Sequence, residues 1–510
     1  MDKASLHSQE VVYNENVVPD NVPPMDPDVS TATISPSDAS SHISKQNEVE
    51  EKSVVDVMQD QNLPKAEGLH AWLVILSAFL CNVVTYGIGT SWFRLESSTS
   101  KLRASPLAVR HKRKLTRPCL LYVLLFIEHV GFIVQWIRGV MQAYYDQEVF
   151  HHSVSSVQLT FVGTLMYVSL NLVSPAVHVL KSMFGPKIVL AAGTAVVSLS
   201  LILAGFSTQI WHLYLTQGIM YGIGGSLMYT TAMGIAPQWF EKRRGLALGV
   251  ATSGSGIGGL IMPFIMSPIL ENLGAPWCYR ILGFISLAVG LFASIFIKER
   301  YPLQQRKKFS ELMNFAILKE PNFAIWNISC DLCLLGYLVP FYLMPTYAID
   351  IGLSASQGAN LVSVLSAFNF VGRILSGFYA DYIGRLNADI LCMTVSGLAC
   401  GLLWVFATNY GILIAFCVIY GLFCGAYFAL LAPVTALITG IERFPGGFSL
   451  FLVLNAVGFF GAPIAGAVQS ATNSSGYLAT QMFSTVTFLL GALIMFGLKV
   501  KMTKSAFTKI

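Results

Sequence analysis

Charged residues are scarce in this chain. Of its 510 residues, 12% are Asp, Glu, Lys or Arg and 54% are hydrophobic, whereas soluble domains carry about 25% charged residues. The hydrophobic residues are gathered into runs near the roughly 20 residues that a membrane-spanning helix needs. This composition excludes a soluble protein with one large core and predicts an all-α polytopic membrane protein.

Signatures of catalysis, metal binding and disulfide bonding are missing as well. The sequence has no Gly-rich phosphate-binding loop, no H-E-x-x-H motif and no catalytic-triad spacing, so we expect no enzyme activity, no cofactor and no metal. Its basic residues are spread over many loops, which gives no support for nucleic-acid binding. The nine cysteines lie nearly all in hydrophobic runs, and we interpret them, Cys330-x-x-Cys333 included, as packing residues.

The chain divides into a polar tail and two groups of six hydrophobic spans. Residues 1–68 contain 13 acidic residues and 4 lysines, a composition that predicts a disordered cytoplasmic tail. We predict four further regions: an N-terminal six-helix bundle over 69–298, a central cytoplasmic loop over 299–322, a C-terminal six-helix bundle over 323–500 and a cytoplasmic tail over 501–510. The twelve predicted spans are 70–92, 157–178, 188–207, 211–234, 246–269, 279–297, 323–347, 358–378, 388–408, 411–434, 447–468 and 478–498.

The distribution of Lys and Arg predicts the orientation of these spans. If the N terminus is cytoplasmic, the inner loops and the C-terminal tail carry 17 basic residues, and the outer loops carry one, Arg280. We therefore predict that both termini are cytoplasmic. The plasma membrane is the expected location.

The two groups of spans share a repeated pattern. Tyr221-Gly222 with Gly225 in the fourth span has a counterpart about 200 residues later, Tyr420-Gly421 with Gly425. Two parallel six-helix repeats are typical of the major facilitator superfamily, whose members bind substrate at the midplane between two halves. We therefore predict a major facilitator fold with twelve transmembrane helices in two six-helix bundles.

The segment 93–138 does not fit this pattern. It carries nine basic and two acidic residues and then a hydrophobic run from about 118 to 137. A thirteenth span here would invert every later loop and place the basic residues outside. We interpret the segment as a translated, retained intron or an error in the gene model; a re-entrant or surface hairpin and a true extra span are the alternatives.

The stretch from Trp239 to Gly258 combines an aromatic pair, Arg243 and Arg244, and then small residues at close spacing. Small residues let membrane helices approach closely. The stretch resembles the fifth-helix signature of the monocarboxylate porter family, in particular of its fungal branch, which includes monocarboxylate permease homologues and riboflavin importers. Residues 67–72 are similar to the start of that family's first helix. Residues 336–348 are similar to its seventh helix.

A second motif lies between the eighth and ninth spans. It resembles the superfamily loop whose Asp and Arg hold the cytoplasmic side closed, with an ordinary interfacial loop as the alternative. The resemblance implies an inner gate formed by Gly377, Asp381, Gly384 and Arg385 together with Arg243 and Arg244.

Ionisable residues inside the spans are the strongest indication of function, since a buried charge in a membrane is costly. In the monocarboxylate porters, the eighth helix carries an Asp and, four residues later, an Arg that engages the substrate carboxylate. Here Arg373 matches the Arg, whereas Asn369 replaces the Asp. A spacing of four places both side chains on one helical face, and a guanidinium can bind a carboxylate through two hydrogen bonds. A clamp between Arg373 and backbone carbonyls or Asp331 is the alternative.

Three further residues complete the predicted substrate site. Asp331 is a candidate proton carrier, an ion-pair partner of Arg373 or an interfacial residue. Tyr86 and Phe428 match family positions that line the substrate path, with packing or lipid contact as the alternative. The family's first-helix Lys is replaced by Thr90, so proton coupling does not follow from the resemblance alone.

These features predict a secondary active or facilitative transporter of small monocarboxylates that works by alternating access. Riboflavin or another organic solute is the alternative substrate class, and a transporter-like nutrient receptor that signals through its acidic tail is a second alternative. The expected partners are a small organic anion, the lipid bilayer and, as an open question, protons. We expect a monomer or a weak oligomer.

Overall fold

A computed structural model describes residues 67–88, 156–300, 315–440, 443–471, 476–505 and 508. Nearly all of the predicted acidic tail and the whole segment 93–138 lie outside the described residues. Within them, every regular element is a helix.

The first half contains helices α1 to α6. Helix α1 (Leu69–Asn82) continues into a π-helical turn, Val83–Gly87. Helix α2 consists of two segments bent by 48°. Helices α5 and α6 form one helical stretch that breaks at Gly274, where φ is 77°. The bounds of the others are Ser156–Leu172 and Ser174–Phe184 (α2), Pro186–Ala204 (α3), Ile210–Leu213, Tyr214–Met220 and Tyr221–Ile235 (α4), and Arg244–Phe296 (α5 and α6).

The second half contains helices α7 to α12. Two of them change character along their length: α9 ends in a π-helical turn, and α11 contains a short 3₁₀ segment. Their bounds are Pro321–Asp350 (α7), Ala355–Ile383 (α8), Arg385–Leu398 and Ala399–Trp404 (α9), Tyr410–Cys424 and Ala426–Thr439 (α10), Phe444–Asn455, Ala456–Phe460 and Gly461–Ala471 (α11), and Leu478–Thr503 (α12).

The predicted all-α polytopic membrane fold is confirmed. Ten of the described helices are long and apolar enough to cross a membrane, and the bent pair in α2 makes eleven. The remaining predicted span, 211–234, coincides with α4, where the π-helical segment Tyr214–Met220 interrupts the α-helix. Several helices extend beyond their predicted spans because their ends carry polar residues. For example, α8 continues to Ile383, so Asp381 lies in its last turn and not in a loop.

The repeated Tyr-Gly pairs make equivalent contacts in the two halves. The hydroxyl of Tyr221 donates to the carbonyl oxygen of Val84 on α1 at 2.5 Å, and that of Tyr420 donates to the carbonyl oxygen of Tyr337 on α7 at 3.0 Å. The sequence pattern therefore marks the contact between the fourth and first helices of each repeat.

The two repeats differ in the number of residues between the two partners of this hydrogen bond. Tyr221 lies 137 residues after its partner and Tyr420 lies 83 residues after its own. Gly185 and Gly384, which both have positive φ, stand equally far before the two tyrosines. The excess in the first repeat therefore lies before Gly185, where the segment 93–138 is found, and this supports its interpretation as an addition.

Glycines on α5 bring the two halves into backbone contact. A Cβ atom at Gly249 would lie 2.5 Å from the carbonyl oxygen of Arg373, and one at Gly245 would lie 2.5 Å from that of Gly377. On the other side of α5, a Cβ atom at Gly258 would lie 2.8 Å from the Cα of Gly87 on α1. Helix α5 is therefore packed between α1 of its own half and α8 of the other half.

We expect the substitution Gly249→Ala to destabilise this packing by about 1–3 kcal/mol, the usual range for overpacking, because the new methyl group meets backbone and not a movable side chain. The measurement is the thermal midpoint of the purified protein in detergent. Gly497→Ala on α12 is the matched control, since nothing lies within 4 Å of its Cβ position. Equal midpoints for the two variants would contradict the close α5–α8 approach.

Candidate functional site

Arg373 lies on α8 at the interface between the halves, with 4% of its surface exposed. Its Nη1 donates to the carbonyl oxygen of Thr252 at 2.9 Å and to Oγ of Ser255 at 2.6 Å, both on α5. Its Nε donates to Oδ1 of Asn369 at 2.9 Å, and its Nη2 donates to the hydroxyl of Tyr337 at 3.3 Å. All these acceptors are neutral, and they come from both halves.

Asn369 holds the guanidinium from its own helix, one turn away. Besides accepting from Arg373, it donates through Nδ2 to the Tyr337 hydroxyl at 3.4 Å and to Sγ of Cys424 at 3.2 Å. Gly425 makes room for this pair, since a Cβ atom there would lie 2.7 Å from Nδ2 of Asn369 and 3.0 Å from Cγ of Arg373. The predicted pair Asn369 and Arg373 therefore acts as one unit, which Tyr337 joins.

Aromatic rings surround this unit. The guanidinium carbon of Arg373 lies 4.5 Å from the ring centre of Phe428, a distance at which the ring attracts a cation. The Phe428 ring contacts Tyr337 at 5.1 Å and Tyr86 at 6.0 Å between ring centres. Tyr86 in turn stacks on Tyr167 at 5.4 Å. The structure thus brings the predicted Tyr86 and Phe428 to the Arg373 site.

A cavity of about 50 Å³ adjoins Arg373 and extends along α7 and α8 towards the turn that joins them. This volume holds only a few water molecules, so the structure is a nearly closed conformation. The walls are mainly apolar, apart from the polar groups already described. They include Gly256, Gly259, Leu338, Phe341, Val362 and Ser366.

The structure separates Asp331 from Arg373. Oδ1 of Asp331 accepts a hydrogen bond from Nδ2 of Asn455 on α11 at 3.0 Å, and the backbone of Gly458 donates a second one. Asn455 also accepts from the hydroxyl of Tyr427. No acidic group of the described residues forms an ion pair with Arg373, so the predicted Asp331–Arg373 pair is not formed in this conformation.

The predicted gate residues lie where α5 meets α8. Oδ1 and Oδ2 of Asp381 accept hydrogen bonds from the backbone N–H groups of Gly245 at 2.9 Å and Leu246 at 3.0 Å. These N–H groups belong to the first turn of α5, where the helix dipole favours a negative charge. The carboxylate of one half therefore caps a helix of the other half.

The remaining gate residues shape the same end of the bundle, which the sequence predicts to be cytoplasmic and which we call the inner end. Gly377 lies against Gly245. Gly384 forms the turn between α8 and α9 with φ of 97°, and Arg385 begins α9. Nε of Arg244 donates to the carbonyl oxygen of Phe240 at 2.9 Å, which fixes the turn before α5.

Glu67 anchors the start of α1 to this turn. Its Oε1 accepts from three successive backbone N–H groups, those of Glu241 at 3.3 Å, Lys242 at 2.8 Å and Arg243 at 3.1 Å. Burial raises the pKa of Glu67, but the three hydrogen bonds and the charge of Arg243 lower that pKa by more, so it lies below its usual value. Arg243 thus contributes to this anchor through its backbone N–H and its charge.

Sequence reasoning missed several polar groups. Tyr337, Ser255 and the carbonyl of Thr252 bind Arg373, but nothing in the sequence pattern links them to it. Asp389 on α9 was also missed, although it is an acid inside a predicted span. It is fully buried, and neither of its carboxyl oxygens has a hydrogen-bond partner within the part of the chain that the structure describes.

Comparisons with known proteins agree with this architecture. Residues 119–388 match the family profile of the Major Facilitator Superfamily. An MFS-type transporter of Aspergillus niger is 31% identical over 360 residues, which cover 70% of this chain and 81% of the relative. The agnestins efflux protein of Paecilomyces divaricatus is 30% identical over 367 residues, which cover 71% of this chain and 83% of the relative.

A solved structure shares the fold. The crystal structure of the Escherichia coli fucose:proton symporter matches with a TM-score of 0.55 and 17% identity, over 74% of this chain and 97% of that one. The fold and the site thus define a membrane transporter with two helical halves. The chain belongs to the Major Facilitator Superfamily. The family match begins inside the segment 93–138 and includes most of its hydrophobic run, so the interpretation of that segment stays a prediction.

We expect Glu67→Gln to lower stability near neutral pH by on the order of 1 kcal/mol, because an amide is a weaker acceptor than a carboxylate for three N–H groups. The contribution of a group whose folded pKa is lowered is complete above its unfolded pKa and disappears as pH falls through the folded pKa. The gap in thermal midpoint between wild type and variant should therefore shrink in acid.

Glu241→Gln is the control for this experiment. Glu241 is 60% exposed and forms an ion pair with Arg300 at 2.8 Å, and exposed pairs contribute little to stability. A gap for Glu67→Gln that is no larger than that of the control, or that widens in acid, would show that Glu67 does not anchor α1.

Proposed function

We propose that this protein is a secondary transporter of organic anions, with small monocarboxylates as the first substrate class, and that Arg373 binds the substrate carboxylate. One observation carries this proposal: a guanidinium is buried between the two halves, beside a cavity, with only neutral acceptors around it. A buried charge without a counter-ion is unfavourable. An anionic substrate provides that counter-ion, and the resemblance to monocarboxylate porters supports the same class.

The position of Arg373 links binding to conformational change. Its Nη1 belongs to α8 but donates to Thr252 and Ser255 on α5, so these hydrogen bonds hold the halves together. A carboxylate that binds the guanidinium competes for the same N–H groups. Binding therefore has a different free energy in the closed and open conformations, which is the requirement for a ligand to shift between them.

The inner gate is the second part of the proposed mechanism. Asp381 caps α5 across the interface, and Gly245 and Gly377 bring the backbones together beside it. In the proposed cycle these contacts close the inner end while the cavity takes up substrate, and they break when the halves rock apart. This contact lies between two turns. Gly384 and Arg385 form the turn after α8, and Arg243 and Arg244 lie at the turn before α5.

Proton coupling is a further part of the proposal. Asp331 is the proposed proton carrier, because Asn455 connects it to Tyr427, whose ring contacts Phe428 at 4.9 Å. A change of charge at Asp331 therefore reaches the Phe428 ring through two side chains, Asn455 and Tyr427. Uptake that does not depend on external pH would remove this part of the proposal.

A larger aromatic solute is the second candidate substrate class, and riboflavin is one example. The aromatic rings around Arg373 favour a planar ligand, and one relative is named as an efflux protein for agnestins. A transporter-like receptor is the remaining alternative; deletion of residues 1–66 would abolish signalling but not uptake in that case. We propose the plasma membrane, cytoplasmic termini and a monomer or weak oligomer, which fluorescent fusions and mass photometry can check.

We expect Arg373→Ala to reduce the uptake of a transported anion by at least about 30-fold, since removing one partner of a buried charge pair costs 2–5 kcal/mol. Arg373→Lys should be intermediate, because it keeps the charge but loses the planar fork. The measurement is uptake of labelled lactate, pyruvate, acetate, benzoate and riboflavin by expressing cells at two external pH values.

Arg280→Ala is the matched control, since Arg280 stacks on Phe206 and Trp277 at the other end of the bundle. Normal uptake by Arg373→Ala would refute the assignment of the anchor. Uptake of benzoate or riboflavin without uptake of the aliphatic acids would favour the second substrate class.

We expect Asp381→Asn to open the inner end, because the amide caps α5 less well than the carboxylate. A net loss of about 1.5 kcal/mol corresponds to a roughly tenfold shift of the equilibrium. Labelling of a cysteine that replaces Ser449, a buried serine of α11 between the halves at the inner end, by a reagent on the inner side should become faster. Asp350→Asn, which weakens the hydrogen bond from Tyr477 at the outer end of α7, is the control, and equal labelling in both variants would contradict the gate.

A further inference from the structure

A second polar pocket lies between the halves, at the inner end. It is enclosed by the second segment of α2, by α4 and by α11. The hydroxyl of Ser174 on α2 donates to the carbonyl oxygen of Ser449 on α11 at 2.8 Å, so the pocket is closed across the interface. Its volume of about 10 Å³ is about that of one water molecule.

The first half supplies the threonine, histidine and lysine side chains of this pocket. Thr230 and Thr231 lie on α4, and their hydroxyls are buried without a hydrogen-bond partner among the described residues. His178 and Lys181 lie on α2 and are 5% and 4% exposed. The second half contributes Phe448 and the backbone around Ser449, which cover the pocket and add no charge.

Lys181 is the cationic side chain of the pocket, and an acid outside the lining balances its charge. Nζ of Lys181 forms an ion pair with Glu299 at 3.3 Å, but Glu299 does not line the pocket, and no other acid does. A buried hydroxyl without a partner is unfavourable by about 1–3 kcal/mol, so two of them side by side indicate a ligand that forms hydrogen bonds, and a carboxylate can accept from both. Such a ligand fits only when α11 moves away.

The pocket lies beside the α2–α11 contact, which is the repeat equivalent of the α5–α8 contact at Arg373. The register that pairs Tyr221 with Tyr420 and Gly185 with Gly384 also pairs Ser174 with Arg373. Arg373 of the second half contacts α5 of the first half, and Ser174 of the first half contacts α11 of the second half. The pocket lies one to two turns beyond Ser174 on α2, closer to the inner end than the Arg373 site.

We propose that Thr230, Thr231, His178 and Lys181 form a second binding site for the carboxylate of the transported anion, occupied when the inner end is open. This inference rests on the proposed function. The anion would be held by Arg373 of the second half in the closed conformation and by the first half on the inner side. Each half would then carry one anion site when the inner end is open.

The test measures KM separately from each side of the membrane. The double substitution Thr230→Val and Thr231→Val removes both hydroxyls at nearly constant volume. Transport of labelled pyruvate and benzoate is measured in right-side-out and inside-out vesicles of expressing cells. We expect KM from the inner side to rise roughly tenfold, the effect of losing one to two hydrogen bonds to a charged group, and KM from the outer side to stay within about twofold by the same scale.

Thr394→Val on α9 is the matched control, since its hydroxyl donates only to the carbonyl oxygen of Ile390 in its own helix. An unchanged inner KM, or an equal rise on both sides, would overturn the second site. Arg373→Ala separates this failure from that of the proposed function: it should impair transport from both sides, and if it impairs neither, the proposed function itself is wrong. An outer KM close to that of the wild type also shows that the double variant is folded.

Discussion

The arrangement of the two halves depends on the burial of a single guanidinium. Arg373 is enclosed by groups from both halves, and each of its hydrogen bonds ends on a neutral acceptor. A charge in this position requires acceptors from the protein, because the small cavity beside it has room for only a few water molecules. Helices α5 and α8 must therefore approach closely, and Gly249 permits this by placing its Cα against the Arg373 backbone.

One face of α8 carries both the anchor and the gate. Asn369, Arg373, Gly377 and Asp381 follow one another at intervals of four, so they lie along a single stripe of the helix. This stripe faces α5, where Ser255, Thr252, Gly249 and Gly245 meet it in the reverse order. A movement of α8 that breaks the Asp381 cap also disturbs the Arg373 contacts. In the proposed mechanism, substrate binding and opening of the inner end are therefore coupled through this one helix pair.

The residues of this stripe and two of the aromatic residues near it, Tyr86 and Phe428, could be predicted from the sequence, whereas their polar partners could not. A spacing of four fixes which residues share a helical face, and small residues on α5 indicate a close neighbour. The partner of Asp331 depends on the rotation of α7 against α11, which no local pattern encodes, and the structure pairs it with Asn455 and not with Arg373. Tyr337, Thr230 and Thr231 contribute through tertiary placement alone. The π-helical turns in α1, α4 and α9 likewise follow from packing and not from hydrophobic periodicity.

The repeat is preserved in its packing and broken in its chemistry. The Tyr221 and Tyr420 hydrogen bonds and the turns at Gly185 and Gly384 are equivalent in the two halves. At the contact between the halves, however, Arg373 corresponds to Ser174, so a charge on one side matches a hydroxyl on the other. A symmetric pair of charges would repel across the midplane, and a symmetric pair of hydroxyls would bind an anion weakly. In the proposed mechanism, this asymmetry lets the α5–α8 contact respond to an anion, while opening of the α2–α11 contact breaks the neutral hydrogen bond from Ser174 to Ser449.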